Sequence, residues 1–477
     1  MIIFTGSLLS QTASDALRYS RIFYSGTARF NGLSGAFGAV GADYSVLATN
    51  PAGIGLFQGS EVSITIAPVI SNSSSIYNGN QGYDDRVNFG MGSFGYVFSI
   101  KTYDKNKTAG LRNVNFGFGF NRQNDFSNRI YIQGPNHESS MLNVFTDEMN
   151  AINEPEKYIQ EDFPFDAGLA YATNLIYIDT TINQWVSDLP HGGALQTKEI
   201  STYGSINELN FSFGGNISDK LYFGLTFGVP FIRYFENSRY DEYDAVDTIP
   251  QFISMTYNYS LETHGTGFNA KAGLIYRPFN WFRLGVAIHT PTWYANMRDI
   301  WSSSMESRFT NSSWSAIQYS PVGDYDYRLT TPFRALGSLA FIIGKSGLVS
   351  ADYEYVDYSQ ARLNSTYDSY EDINDEIRTS YGSWGNIRIG TEWRLQNFRL
   401  RGGFAYFSNP YRNNINNSER LQASGGLGYR GRFFFADVTY VWSQMKEDYY
   451  LYNAALVNPS QNTYYTNSVL TTIGFRF

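Results

Sequence analysis

From residue 60 onward apolar and polar positions take turns. In SEVSITIAPVI, Val62, Ile64 and Ile66 fall on one face and Glu61, Ser63 and Thr65 on the other. That period of two belongs to a strand wet on one face only. NVNFGFGFN repeats it with Val114, Phe116, Phe118 and Phe120, and DKLYFGLTFGVPF with Leu221, Phe223, Leu225, Phe227 and Val229. WFRLGVAIHTP continues it through Phe282, Leu284, Val286 and Ile288, and NFRLRGGFAYF through Phe398, Leu400, Phe404 and Tyr406. In NSVLTTIGFRF the residues Val469, Thr471, Ile473, Phe475 and Phe477 share one face.

The connections sort into two kinds. Short ones lie near 101–112, 216–219, 277–280, 343–347, 395–397 and 429–432. They alternate with long polar ones near 71–87, 123–203, 233–250, 294–323, 359–383, 408–418 and 444–464. A sandwich has no reason to place every long loop at one end, whereas a transmembrane barrel has short turns on one side and long loops on the other. Six turns and seven loops join fourteen strands. The even count requires 250–278 to be one long strand, with Gly265 and Gly267 marking a bend. The register also slips between Met91 and Phe94, which predicts a bulge around Ser93.

Composition supports a membrane barrel. No run of eighteen apolar residues occurs, so no helical span is expected. Yet the chain carries 38 Tyr, 36 Phe and 8 Trp with only 16% charged residues and a mean hydropathy of -0.31. Strands that alternate between lipid and lumen keep mean hydropathy low while aromatics gather at both interfaces. The net charge of -8 argues against nucleic acid as a partner. Cysteine is absent, which removes disulfides and thiolate metal sites.

The stretch before the first strand reads differently. Residues 1–11 resemble a signal-peptide remnant without the usual leading Lys or Arg. Residues 12–58 then contain GLSGAFGAVGADYSVLATNPAGIG, small and apolar, with Gly32, Gly35, Gly38 and Gly41 three apart. A fourteen-strand lumen is too wide for its own side chains to fill. The segment is therefore expected to be a plug inside the barrel of residues 59–477. Gly90, Gly92, Gly95, Gly117, Gly119, Gly224 and Gly228 fall on the lumen face. They either make room for the plug or relieve barrel curvature. A phosphate-cradling loop is excluded, because the spacing matches neither glycine-rich motif.

These runs, with FPFDAGLAYATNLI, RLGVAIHTPT, VSADYEYVDYS, NIRIGTEWRL and the final GFRF, resemble the outer-membrane long-chain fatty-acid transporter (FadL-type) family over residues 20 to 477. The most specific element is the turn at Asn50, Pro51 and Ala52, followed by Gly53, because the family carries an Asn-Pro-Ala turn in an N-terminal hatch. The resemblance implies an all-β, 14-stranded antiparallel transmembrane β-barrel in the outer membrane of a Gram-negative bacterium, with a periplasmic C-terminus. It also implies passive transport of hydrophobic small molecules such as long-chain fatty acids. Cargo is caught by extracellular loops, of which 123–203 is the longest, and exits sideways through a kink in the third strand. Here Gly117, Phe118 and Gly119 are expected to hold that kink. The partners implied are a hydrophobic cargo, lipopolysaccharide and outer-membrane lipids, and the barrel is expected to be a monomer. No cofactor or metal is called for. A general porin for polar solutes and a structural or adhesive surface barrel are the alternatives.

Chemistry otherwise offers little. The histidines His137, His191, His264 and His289 have no nucleophile marked beside them, so an enzyme is not expected. Arg283, Arg388, Arg399, Arg401, Asp352 and Glu354, with Glu392, Arg394 and Asp437, fall on the lumen face by register. One arginine would suit a cargo carboxylate. The favoured reading is a salt-bridged brace between wall and hatch. The acidic loops YDEYDAVD and YDSYEDINDE lack the glycine and spacing of a calcium loop.

Overall fold

The computed structural model describes residues 11–102, 110–189, 192–246, 248–413 and 415–477. The expected leader remnant therefore lies outside the described residues except for Gln11, as do His191 and most of the first short connection.

Fourteen antiparallel strands close into a barrel. β1 is Glu61–Ile66 continued by Val69–Tyr77; β2 is Asn80–Asn88 continued by Met91–Lys101; β3 is Leu111–Asp125 continued by Asn128–Asn136. There follow β4 (Ala194–Ile217), β5 (Leu221–Tyr243), β6 (Phe252–Phe279), β7 (Phe282–His289 and Trp293–Phe309) and β8 (Gly323–Thr330 and Arg334–Ile343, preceded by Ala316–Tyr319). The rest are β9 (Gly347–Asp357), β10 (Ser383–Leu395), β11 (Phe398–Phe407), β12 (Arg420–Arg430), β13 (Phe434–Tyr449) and β14 (Ser460–Arg476). Closure joins the first strand to the last, with Glu61 opposite Arg476 and Val69 opposite Ser468. Arg476 donates to Glu61 at 2.7 Å across that joint.

The single long strand expected near 250–278 is β6, paired with both neighbours, and its register with β7 shifts between Thr266 and Gly267, where the bend was expected. The bulge of β2 falls one residue earlier than expected. Thr65 faces Ser93 and Ile66 faces Met91, which leaves Gly92 as the extra residue.

The loops are shorter than their polarity suggested. Residues 71–87 form no loop: both arms are strand, joined at Asn78 and Gly79, whose φ values of 45° and 80° are those of a primed hairpin turn. The expected loop 123–203 narrows to 137–193, since β3 and β4 run on as paired strands. Above the lipid a strand has water outside it, so its outer positions turn polar and the alternation fades.

The outer face carries an apolar belt that includes Ile66 at 58% exposure, with Phe116, Phe211, Phe227, Val286 and Ile473 also exposed. Exposed apolar area on that scale is a surface for hydrocarbon rather than water. At the short-turn end aromatics ring the barrel. Trp281 stacks on Phe279 and Phe341, Phe398 meets Tyr429, and Phe477 stacks on Tyr96.

Inside, three apolar layers follow one another. At the long-loop end α3 (Met141–Ile152), α4 (Ile159–Asp162), α5 (Ala167–Ala172) and a small hairpin lie over the mouth. Leu142, Phe145 and Met149 of α3 pack there with Tyr77, Tyr240, Phe309 and Tyr464 of the wall. α3 starts at Ser140, whose Oγ accepts from Leu142 N–H at 3.1 Å, and ends at Asn153 in the left-handed region. In the middle, α1 (Ala13–Ser20) packs Ala16, Leu17 and Tyr19 against Tyr234, Tyr294, Met297, Trp301 and Tyr327, with Ile377 of α6 (Glu371–Ser380) beside them. The floor is residues 28–57, including the short helix α2 (Ala28–Asn31), where Phe30, Leu33, Phe37, Leu47 and Ile54 are buried with Val97, Ala340 and Leu348 of the wall. Each such side chain contributes about 1.5–3 kcal/mol of burial.

Candidate functional site: a plugged lumen and an interrupted wall

The floor is seated by glycines and then bolted by charge. The turn expected at Asn50 is a capped 3-10 turn, Pro51–Leu56: Asn50 Oδ1 accepts from Ala52 N–H at 3.1 Å, and Pro51 occupies the first position, where no donor is needed. Asn50 Nδ2 donates to the Gly38 carbonyl at 2.6 Å, which ties the two arms of the floor together. Ala52 packs on Tyr222 and Ile275. Gly53 fits against Val46, and its carbonyl accepts from Ala42 N–H at 3.1 Å. A side chain on Gly224 would run into the Pro51 carbonyl, and one on Gly273 into Asn50 Oδ1.

The wall glycines thus make room. A Cβ on Gly117 would stand 2.6 Å from Leu47 Cδ1, and one on Gly95 or Gly119 would strike the Tyr44 ring. Gly92 lies beside Gly26, just before the floor, with 3.6 Å between a Cβ and that carbonyl. Gly90 and Gly228 give space to other groups, Arg122 and the pair Glu208 and Asn269.

The charges on the lumen face brace wall against floor. Arg29 of α2 donates to Glu392 at 3.0 Å, and Glu392 also takes Arg401 at 2.7 Å. Arg401 reaches Asp437 at 2.7 Å, and Asp437 holds Arg430 at 2.8 Å. A second set joins Glu354 to Arg334 at 2.9 Å and to Arg388, whose guanidinium lies 5.4 Å from the Tyr24 ring. Asp352 accepts from the N–H groups of Phe37 and Gly38 at 3.0 and 2.9 Å. Arg283 donates to the Val40 carbonyl at 2.7 Å. Arg399 stands apart, donating among the described residues to the turn carbonyls of Gln396 and Phe398 at 2.8 and 2.7 Å. Sequence reasoning missed Arg29, Arg334 and the buried pair Glu208 and Lys271, none of which stands in a motif. His289 Nε2 donates to the Thr49 carbonyl at 2.6 Å, another bolt rather than a catalytic base.

The third strand is not interrupted where it was expected to be. Gly117, Phe118 and Gly119 are paired on both sides, Gly117 with Val97 and Ser212, Phe118 with Tyr96 and Phe211, and Gly119 with Gly95 and Asn210. A glycine relaxes the backbone, but here both ladders and the floor hold these residues. The interruption comes later. The register with β4 shifts between Arg122 and Asn124, and the strand breaks at Phe126 and Ser127. At that point the link between α1 and the floor joins in: Phe23 N–H donates to the Gln123 carbonyl at 2.8 Å and Ser25 N–H to that of Arg122 at 3.1 Å.

Beyond the break β3 leaves β2. Among the described residues, Asn128–Asn136 pairs with β4 alone and Asn80–Asn88 with β1 alone. This stretch of β3 crosses the inner face of the β1–β2 hairpin instead. Side chains replace the backbone ladder: Ser73 and Ser75 donate to the carbonyls of Arg129 and Tyr131 at 2.6 and 2.5 Å, and Ser71 to Asn128 Oδ1 at 3.1 Å. Asn88 donates to Ser127 Oγ at 2.8 Å and to Asp125 at 3.2 Å, while Arg122 holds Asp125 at 2.6 Å. Gly82 has no Cβ because the Tyr131 carbonyl occupies that space. Arg86 reaches over β3 to Ser201 of β4 at 2.8 Å, so the wall here is overlapped like a lapped plank. The serine stripe of ISNSSSIY was visible in the sequence, with Ser71, Ser73 and Ser75 on one face.

Phe126 links this seam to the interior. Its ring lies 6.2 Å from Tyr19 of α1 and 5.2 Å from Tyr234, edge to face in both cases. The apolar middle layer therefore abuts the one place where two wall strands are not backbone-paired among the described residues.

No protein-family model matches the chain, and no curated protein matches it in sequence. Solved structures do. A FadL homologue from Pseudomonas aeruginosa superposes with a TM-score of 0.56 over 95% of this chain and 98% of its own, at 12% identity. The toluene transporter TodX from Pseudomonas putida gives 0.54 over the same shares at 11% identity. CymD, a monoaromatic hydrocarbon channel, gives 0.51 over 95% and 98% at 11% identity. At such low identity the likeness establishes a common fold.

Proposed function

We propose that the protein lies in the outer membrane of a Gram-negative bacterium, short turns toward the periplasm, and passes hydrophobic small molecules through its wall into the lipid. The cargo class is long-chain fatty acids or compact aromatic hydrocarbons of the kind named for TodX and CymD. The loops and α3–α5 capture the molecule, the apolar middle layer receives it as α1 yields, and it leaves through the lapped seam between β2 and β3. The floor stays shut. An apolar cargo gains nothing from the aqueous periplasm, so a sideways route into acyl chains is downhill.

The observation that carries this reading is the loss of backbone pairing between Asn80–Asn88 and Asn128–Asn136 beside an apolar lumen. A few side-chain hydrogen bonds, each worth about 1 kcal/mol net, part more readily than a ladder of backbone pairs. A general porin does not fit a lumen with a seated floor.

The absence of cysteine allows a clean test. Asn88→Cys with Ser127→Cys places two thiols where side chains now touch. Cells relying on this barrel for labelled oleate or toluene are expected to lose at least tenfold of their uptake rate when the pair is oxidised and to regain it on reduction. Unchanged uptake in the oxidised variant overturns the lateral route. Uptake by the unmodified protein no greater than that of cells lacking it overturns transport.

A further inference from the structure

At the short-turn end a cavity of about 560 Å³ opens between floor and wall. Its lining includes Arg29, Arg277, Arg283 and Arg394, set among residues of three turns, the end of β10 and the floor loop at Val40, Gly41 and Ala42. The carboxylates that share the lining are already engaged. Glu392 is held by Arg29 and Arg401, and Asp219 accepts from Asn216 at 2.7 Å and lies 3.8 Å from Arg112. Among the described residues, Arg277, Arg283 and Arg394 have no carboxylate within ion-pair distance. Arg277 donates to Asn280 Oδ1 at 2.9 Å and Arg283 to the Val40 carbonyl, yet the Nε–H groups of both are buried with no acceptor.

Arg394 is exposed at the rim, but the unanswered Nε–H groups of Arg277 and Arg283 are costly unless something meets them, because a buried donor without a partner forfeits its hydration. Guanidinium forks fit oxyanions in two-point contact. A single carboxylate offers one charge and a planar pair of oxygens. A phosphate monoester offers up to two charges and three oxygens at once, which suits three cations lining one cavity better.

We propose that this cavity is a phosphate-binding site, taking a phosphate monoester such as the headgroup of phosphatidic acid or a free glycerol phosphate at the turn-side mouth. The site is separate from the seam and rests on no assumption about the cargo. Arg29 and Arg283 both grip the carbonyls of the floor loop, Ala42 at 2.8 Å and Val40 at 2.7 Å. A bound phosphate thus sits directly on the floor's attachment and tightens it.

The experiment uses the full detergent-solubilised protein, titrated with inorganic phosphate, sn-glycerol 3-phosphate, sodium octanoate, and phosphatidic acid in bicelles. Binding is read by 31P line broadening for the phosphates, by native mass spectrometry for octanoate and lipid, and by the thermal unfolding midpoint. Arg394→Gln and Arg277→Gln test the site, and Arg432→Gln, on a neighbouring turn outside the cavity, controls for diffuse attraction. The expected result is saturable binding of at least one phosphate probe and a raised midpoint. Affinity should fall at least tenfold in both cavity variants and stay unchanged in the control. Binding of the lipid but not the soluble esters identifies a membrane headgroup, and the reverse identifies a periplasmic solute; either supports the site. Absence of saturable phosphate binding, preference for octanoate, or equal weakening in Arg432→Gln overturns it. Uptake through the seam is scored separately, so neither result decides the other.

Discussion

The floor and the seam are both joints between chain segments, and they are built in opposite ways. The floor meets the wall through buried ion pairs, backbone donors aimed at Asp352, and glycines cut to its shape. The seam meets mainly through hydroxyls and amides resting on carbonyls and hydroxyls, with Asn88 on Asp125 and Arg86 on Ser201 the contacts that carry a charge, and strand pairing is absent among the described residues. Charged contacts buried away from water are expensive to break from one side, whereas neutral hydrogen bonds at a partly wet joint trade cheaply with water. Of the two joints, the seam therefore costs less to part.

The sharpest way to break the contrast is to staple each joint in turn. Oxidised Asn88→Cys with Ser127→Cys should abolish most uptake, as above. Ser34→Cys with Ser424→Cys, whose hydroxyls now lie 2.9 Å apart across floor and wall, should leave uptake within twofold of the parent. If the floor staple stops uptake as the seam staple does, the floor is the gate.

Next in size is Gly117→Val with Gly119→Val. The side chains would collide with Leu47, Tyr44 and the Phe94 carbonyl, so the floor should lift and ion conductance in planar bilayers should rise well above that of the nearly silent parent. A silent double variant would mean that the floor tolerates bulk. Glu392→Ala leaves Arg29 and Arg401 short of a buried counter-charge and should cost about 3–5 kcal/mol, read as earlier unfolding in urea. Ser73→Ala should loosen the seam by only about 1 kcal/mol, seen as faster amide exchange across 128–136 with no change at the floor.

The smallest effect concerns the lid. Glu242 lies more than twenty residues up β5, beyond the ~9–11 residues a strand needs to span a bilayer. It accepts from Ser140 Oγ at 2.6 Å and Met141 N–H at 2.9 Å at the start of α3, and from Tyr240 and Gln196. Burial pushes its carboxyl up, only partly offset by these donors. The docked lid then holds its proton more tightly than the free one, so docking is strongest below the ordinary carboxylate range and weakens as pH rises through the raised value. Exchange of the α3 amides should quicken over that interval, and Glu242→Gln should flatten the dependence.

The sequence announced the barrel because lipid imposes a strict alternation: Ile64, Phe116, Val286 and Ile473 had nowhere else to face. It announced the floor because small residues at 32–53 could not form a strand and had to pack close. Loop lengths failed for the converse reason, since Ser71–Ser75 and Asp241–Tyr243 are strand with water behind them. The kink was placed at Gly117 and Gly119 from backbone freedom alone. Pairing is decided by what the neighbours offer, and there both neighbours are complete, while Phe126, an ordinary strand residue by propensity, sits at the break.

One consequence follows from the height of the wall. A strand of 28 residues such as β6 runs about 90 Å along its axis, or roughly 70 Å of elevation at a tilt of ~40°, against a hydrocarbon belt about 25 Å tall. The barrel stands above the bilayer like a chimney above a roof, so on the proposed route a cargo would be sampled in the medium outside and released tens of ångströms lower.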